Sequence, residues 1–153
     1  MSVYEKLQKI QCELKAPKNK KNTFGGYSYR DVSGICEGLK PLLDKYKCAL
    51  VMTDAIQTTE TERTYVVATV TLVDTEDNSQ VSSTGYARED SAKKGMDVSQ
   101  LTGSCSSYAR KYALNGLFAI DDGRDIDSMD NTEQKPPKRR SRLQKPVDND
   151  CPF

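Results

Sequence analysis

Apolar residues recur every three or four positions near the start of the chain, at Val3, Leu7, Ile10 and Leu14, with charged residues between them. That spacing predicts an amphipathic helix, and Pro17 is expected to stop it. Asp31 is placed to cap a second helix running to about Tyr46, with Val32, Ile35, Leu39, Leu42 and Leu43 on its inner face. Pro41 interrupts this pattern without an evident reason. Three β-rich runs follow, Cys48 to Gln57, Arg63 to Val73 and Gln80 to Arg88, separated by the polar turns TTETE and DTEDNS. Such short connections leave no room for crossover helices, so the strands are expected to form an antiparallel meander. A last helix is predicted from about Val98 to Ala119, ended by Asp121, Asp122 and Gly123. The fold class is therefore α+β, a three-stranded antiparallel meander packed with helices.

Between the first two helices, residues 15–30 (KAPKNKKNTFGGYSYR) hold five basic side chains, no acidic one and three aromatics. They read as an exposed loop. From Ser128 onward the composition predicts disorder. The expected organisation is a folded domain at 1–127, a disordered basic linker at 128–147 and an acidic tip at 148–153.

Composition narrows the chemistry. The chain has 153 residues and no histidine, which removes the usual general base and the commonest metal ligand. Its five cysteines are odd in number, scattered and never spaced C-x-x-C, so neither a disulfide framework nor a zinc site is expected. No apolar run approaches the ~20 residues that cross a bilayer. A cytoplasmic protein with no membrane association is expected. The net charge is only +1, yet residues 135–147 carry six basic and no acidic groups, while residues 1–134 sum to −3. Ser91 to Lys94 spell S-x-x-K, but the K-T-G partner motif of serine acyl-enzymes is absent. Asp121, Asp122, Asp125 and Asp127 match no EF-hand spacing, and there is no phosphate-cradling G-x-x-x-x-G-K-[ST]. No catalytic residue, metal or cofactor is expected.

The block from Gly95 to Asp127 reads GMDVSQLTGSCSSYARKYALNGLFAIDDGRDID. On a helix, Leu101, Cys105, Tyr108 and Tyr112 form one stripe, and Ser104, Ser107, Lys111 and Asn115 form another, so one face is expected to pack and the other to face a ligand. Gly103, Ser104, Ser106 and Ser107 are poor helix formers whose small size lets another backbone approach. As a string, this block closely resembles the signature of the essential recombination function (ERF) family of phage single-strand annealing proteins. Phe24, Tyr27 and Tyr29, followed by Arg30 and Asp31, resemble that family's N-terminal region. The resemblance covers about residues 1–130.

What the resemblance implies is an ATP-independent protein of the bacterial host cytoplasm, phage- or prophage-encoded, that coats single-stranded DNA. It would assemble into homo-oligomeric rings or filaments and anneal complementary strands in recombination and repair, with a phage exonuclease as a further partner. Such a protein must hold phosphates while leaving bases free to pair. The expected DNA contacts are Lys20, Lys21 and Arg30 in the loop, Lys93 and Lys94 before the last helix, and Arg110 and Lys111 on it. Tyr27 and Tyr29 either stack on bases or clasp over the sheet.

The ending DNDCPF resembles the acidic tip of bacterial single-stranded-DNA-binding proteins, which docks other genome-maintenance proteins. By that resemblance Asp148, Asp150, Pro152 and Phe153 would recruit host partners, although Cys151 and Asn149 depart from the usual pattern. The alternative to annealing is a passive strand-protecting protein that recruits repair proteins through this tip. A barrel of the oligonucleotide-binding type would need about five strands, and the sequence offers three.

Overall fold

The computed structural model describes residues 1–90 and 97–121. Helix α1 spans Val3–Glu13 and begins at a capping box, in which the Ser2 hydroxyl accepts from the Glu5 N–H and the Glu5 carboxylate accepts from the Ser2 N–H. Val3, Leu7 and Ile10 are buried, as their spacing predicts. The helix ends before Leu14, whose backbone is extended, three residues short of Pro17. Lys6 on the same face is 4% exposed and bonds Asp74 at 2.7 Å and Glu76 at 2.6 Å, tying α1 to the far end of the sheet. Asp74 and Glu76 hold the Lys6 ammonium well above its usual range, and Lys6 holds the Asp74 carboxyl below its own.

Residues 15–30 are not simply a loop. They contain a small antiparallel hairpin, β1 (Lys20–Asn22) paired with β2 (Tyr27–Tyr29) in the register Lys20 to Tyr29. Three-residue strands are too short for an alternation of burial to show in sequence. Helix α2 spans Val32–Tyr46, with the Asp31 carboxylate accepting from the Gly34 N–H at 2.8 Å. Pro41 lies inside it on the exposed side, and the backbone bond it removes falls on the carbonyl of exposed Glu37, within reach of water.

Strands β3 (Cys48–Thr58), β4 (Thr64–Asp74) and β5 (Gln80–Glu89) form the meander, all antiparallel, in the order β3-β4-β5. Alternation along β4 buries Val66, Ala68, Val70, Leu72 and Asp74 against the helices. On the other face, Thr53, Thr69 and Thr84 stand in one cross-strand row, with Val51 and Tyr86 exposed. That face carries no helix among the described residues.

Helix α3 (Val98–Phe118) closes the core, opened by a second capping box between Asp97 and Gln100. Its buried stripe is Leu101, Cys105, Ala109, Ala113 and Leu117, with Leu114 and Phe118 beside it. Tyr108 and Tyr112 do not continue the stripe begun by Leu101 and Cys105: they are 52% and 46% exposed. The reason lies on β5. A Cβ on Gly85 would stand 2.2 Å from the Ala109 carbonyl oxygen and 2.5 Å from the Ala113 nitrogen, so helix and strand touch backbone to backbone. Only small side chains fit beside such a contact, and the tyrosines are turned outward.

Gly85→Ala is expected to cost about 2 kcal/mol in urea unfolding, because the added methyl must displace helix backbone. Gly103→Ala, which meets no atom within 4 Å, is expected to stabilise by roughly 0.5–1 kcal/mol through helix propensity. Equal effects at the two positions would contradict this packing.

Candidate nucleic-acid interface

The face of helix α3 that carries Ser104, Ser107, Tyr108 and Lys111 over two turns is not covered by the sheet. Across from it stand the hairpin and the start of α2, through Asn22, Tyr29, Arg30, Asp31 and Val32. The two walls enclose an open groove of about 400 Å³. A smaller recess of about 270 Å³ adjoins it, lined by Lys20, Tyr29, Arg30 and the first turn of α2. Residues far apart in sequence thus meet because the hairpin and α3 both flank α2.

The predicted contacts that fall among the described residues each have a definite place. Lys111 lines the groove with its ammonium 5.3 Å from the Tyr108 ring and 5.7 Å from the Tyr112 ring, whose centroids are 6.3 Å apart. These cation–π contacts hold the charge over an exposed aromatic pair. Tyr29 lines both groove and recess and is 37% exposed. Arg30 also borders both, and its guanidinium donates to the Ala16 carbonyl at 2.5 Å and the Asp121 carbonyl at 2.8 Å. It clamps the segments that leave α1 and α3. Lys20 and Lys21 are exposed on β1, and Lys20 lies 3.9 Å from the Asp31 carboxylate. The Tyr27 backbone belongs to β2, but its side chain, Lys93, Lys94 and the tip residues Asp148, Asp150, Pro152 and Phe153 lie outside the described residues.

Arg110 is absent from the groove lining. Its guanidinium grips Asp54 of β3 with two bonds of 3.0 Å, and the Ser106 hydroxyl donates to the same carboxylate at 2.5 Å. Burial pushes the Asp54 carboxyl up, but the bonds from Arg110 and Ser106 outweigh it and leave it below its usual range. Arg110 is in turn held above its ordinary value, first by its bond to Asp54. The latch joins α3 to the edge of the sheet and fixes the rotation of the helix, and hence which side chains face the groove.

Sequence reasoning set Tyr108 and Tyr112 on one stripe with Leu101 and Cys105 and left them available for packing or stacking; both are exposed beside Lys111. The signal for this was available in Ala109 and Ala113, whose small size at the same four-residue spacing marks the contact face better than the tyrosines do.

Comparison with known proteins adds the family. The ERF superfamily matches over residues 3–150. The "Essential recombination function protein" of Salmonella phage P22 is 48% identical over 132 residues, which cover 86% of this chain and 62% of that protein. The chain therefore spans less than two thirds of the length of this relative. No solved structure matches the chain.

A double-mutant cycle between Asp54 and Arg110 is expected to give about 0.5–1 kcal/mol of coupling at neutral pH, the range of a partly exposed pair. Because the Asp54 carboxyl is depressed in the folded chain, that coupling is present above the ordinary carboxylate range and is lost as pH falls below about 4. Coupling that persists at pH 2 would show that the pair does not act as an ion pair.

Proposed function

We propose, from the premise that this chain belongs to the ERF superfamily, that it binds single-stranded DNA along the groove between the hairpin and α3 and anneals complementary strands without ATP. The biological setting of this reading is phage recombination and repair in the host cytoplasm. The observation that carries it is the meeting of Lys111, Tyr108, two serine side chains and the hairpin's Tyr29 on one open groove.

Those groups suit a ligand with alternating charge and flat rings. Lys111 attracts phosphate as a point charge, and Ser104 offers a hydroxyl donor that no base sequence is needed to engage, while the Ser107 hydroxyl already donates to the Gly103 carbonyl at 3.1 Å. Tyr29 and Tyr108 offer faces on which any base stacks. Space over Gly103, where no atom approaches within 4 Å of a would-be Cβ, lets a sugar-phosphate backbone run close to the helix. Holding a strand by phosphate and ring faces leaves its Watson–Crick edges open to a complement. Nothing in such a cycle requires a nucleophile or a nucleotide, so the chain acts as a binding protein rather than an enzyme.

Lys20 and Lys21, and the basic segment 135–147, add attraction that tracks the backbone and weakens with salt. Lys93 and Lys94 belong to the same set. Assembly of several copies into a ring or filament would extend the path along one strand. The tip, through Asp148, Asp150, Pro152 and Phe153, docks host genome-maintenance proteins, and a phage exonuclease supplies the single strands. The passive reading, protection and recruitment without annealing, is favoured only by that tip.

The test mixes the full chain with two complementary labelled oligonucleotides, without nucleotide or metal, and follows duplex formation. Acceleration over spontaneous pairing is expected. Tight strand binding without acceleration would leave the passive reading. In the same buffers, Lys111→Ala is expected to weaken oligo(dT) binding and reduce the slope of log affinity against log salt by about 0.7, the value for one phosphate contact on a single strand. An unchanged slope would remove Lys111 from the interface.

A further inference from the structure

Two phenylalanines fall among the described residues, and they lie at opposite extremes. Phe118 is 1% exposed in the core, and Phe24 is 102% exposed at the tip of the β1–β2 hairpin. A single exposed apolar side chain needs no explanation by itself. The turn beneath this one is the second observation. The Asn22 carboxamide oxygen accepts from the Phe24 N–H at 2.9 Å and from the Gly25 N–H at 3.2 Å, while the Asn22 carbonyl accepts from the Gly26 N–H at 2.9 Å. Gly26 closes the turn at φ +64°, a conformation suited to glycine. None of these bonds uses the Phe24 side chain, and any polar residue would serve the turn as well. The tip is a fixed mount on which an aromatic ring is held in water.

The stem beneath the ring is cationic. Lys20 and Lys21 lie on β1, and no carboxylate occurs from Leu14 to Arg30. Asn22 and Tyr29 of the same hairpin line the groove of α3. A ring at the end of a basic arm beside a groove has the chemistry of a stacking side chain for a polyanion that carries flat bases. The cationic stems of two copies would repel each other, which disfavours a second copy of this chain as the occupant of the tip.

We propose that Phe24 stacks on a base of the single strand held in the groove, an inference that rests on the single-strand reading above. The hairpin is then an arm whose lysines track the backbone while its tip separates one base from the next. A base held apart in this way is kept from stacking on its own neighbours and stays presentable to a complementary strand. Phe24 is a strand-contacting residue distinct from the tyrosines of the groove.

The chain has no tryptophan, so Phe24→Trp places a single indole at the tip. The full-length variant is titrated with oligo(dT) and with an abasic oligonucleotide of the same length, with binding followed independently by anisotropy of a labelled strand. Quenching of the indole by oligo(dT), and little or none by the bound abasic strand, is expected. Phe24→Ala is expected to weaken oligo(dT) binding about tenfold, with the salt slope unchanged. Binding of oligo(dT) without any change in emission overturns the proposal, as does equal quenching by the abasic strand. A blue shift that depends on protein concentration without DNA would assign the tip to a second copy instead, and also overturns it. Failure of the unsubstituted chain to bind oligo(dT) overturns the single-strand reading itself, and this inference with it.

Discussion

The approach of α3 to β5 at Gly85 sets the rest of the helical layer. With a glycine on the strand and Ala109 and Ala113 on the helix, backbone meets backbone, and a Cβ on Gly85 would lie 2.2 Å from a helix carbonyl. Interiors packed at crystal-like density do not absorb such an overlap. The helix therefore has one rotation about its axis that buries Leu101, Cys105 and Leu117, and that rotation turns Tyr108, Lys111 and Tyr112 away from the sheet. The bidentate grip of Arg110 on Asp54 fixes the same rotation from the other side. Packing on one face of α3 thus determines the chemistry presented on the next.

The groove inherits its character from this arrangement and from the hairpin. Lys111 is pinned over two rings, Arg30 clamps two backbone segments, and Asp31 caps α2 while pairing with Lys20. Several charged groups that look alike in sequence thereby separate into two kinds. Arg30 and Arg110 have carbonyl or carboxylate partners that hold the fold together, whereas Lys20, Lys21 and Lys111 remain at the surface, where a polyanion can reach them. Guanidinium groups suit the first role because their planar fork makes two directed bonds, and ammonium groups suit the second as hydrated point charges.

Much of the fold was legible in the sequence. The first helix, the Asp31 cap, the order and antiparallel pairing of the three strands and the extent of the last helix follow from period, caps and turn chemistry. Pro41 was legible as an oddity, but its tolerance was not, because that depends on which side of α2 faces water. The hairpin at Lys20 to Tyr29 escaped because its strands are three residues long. At the candidate site, the basic and aromatic residues could be named, but not sorted. Tyr108 follows Leu101 and Cys105 at helical spacing and looks like their continuation. Only the close contact at Gly85, made by residues some 24 to 28 positions apart, decides that alanines pack there and tyrosines do not. Family membership was carried by the Gly95 to Asp127 string, which periodicity alone would not have provided.

The central claim is that one particular face of the chain meets the strand. Tyrosines serve as natural reporters, since Tyr29 and Tyr108 line the groove while Tyr65 and Tyr86 stand on the opposite face of the sheet. Ultraviolet cross-linking of the full chain to oligo(dT), followed by identification of the modified peptides, separates the two faces. The account predicts adducts on the peptides that carry Tyr29 and Tyr108. Adducts confined to Tyr65 and Tyr86 would contradict it and place the strand on the bare face of the sheet.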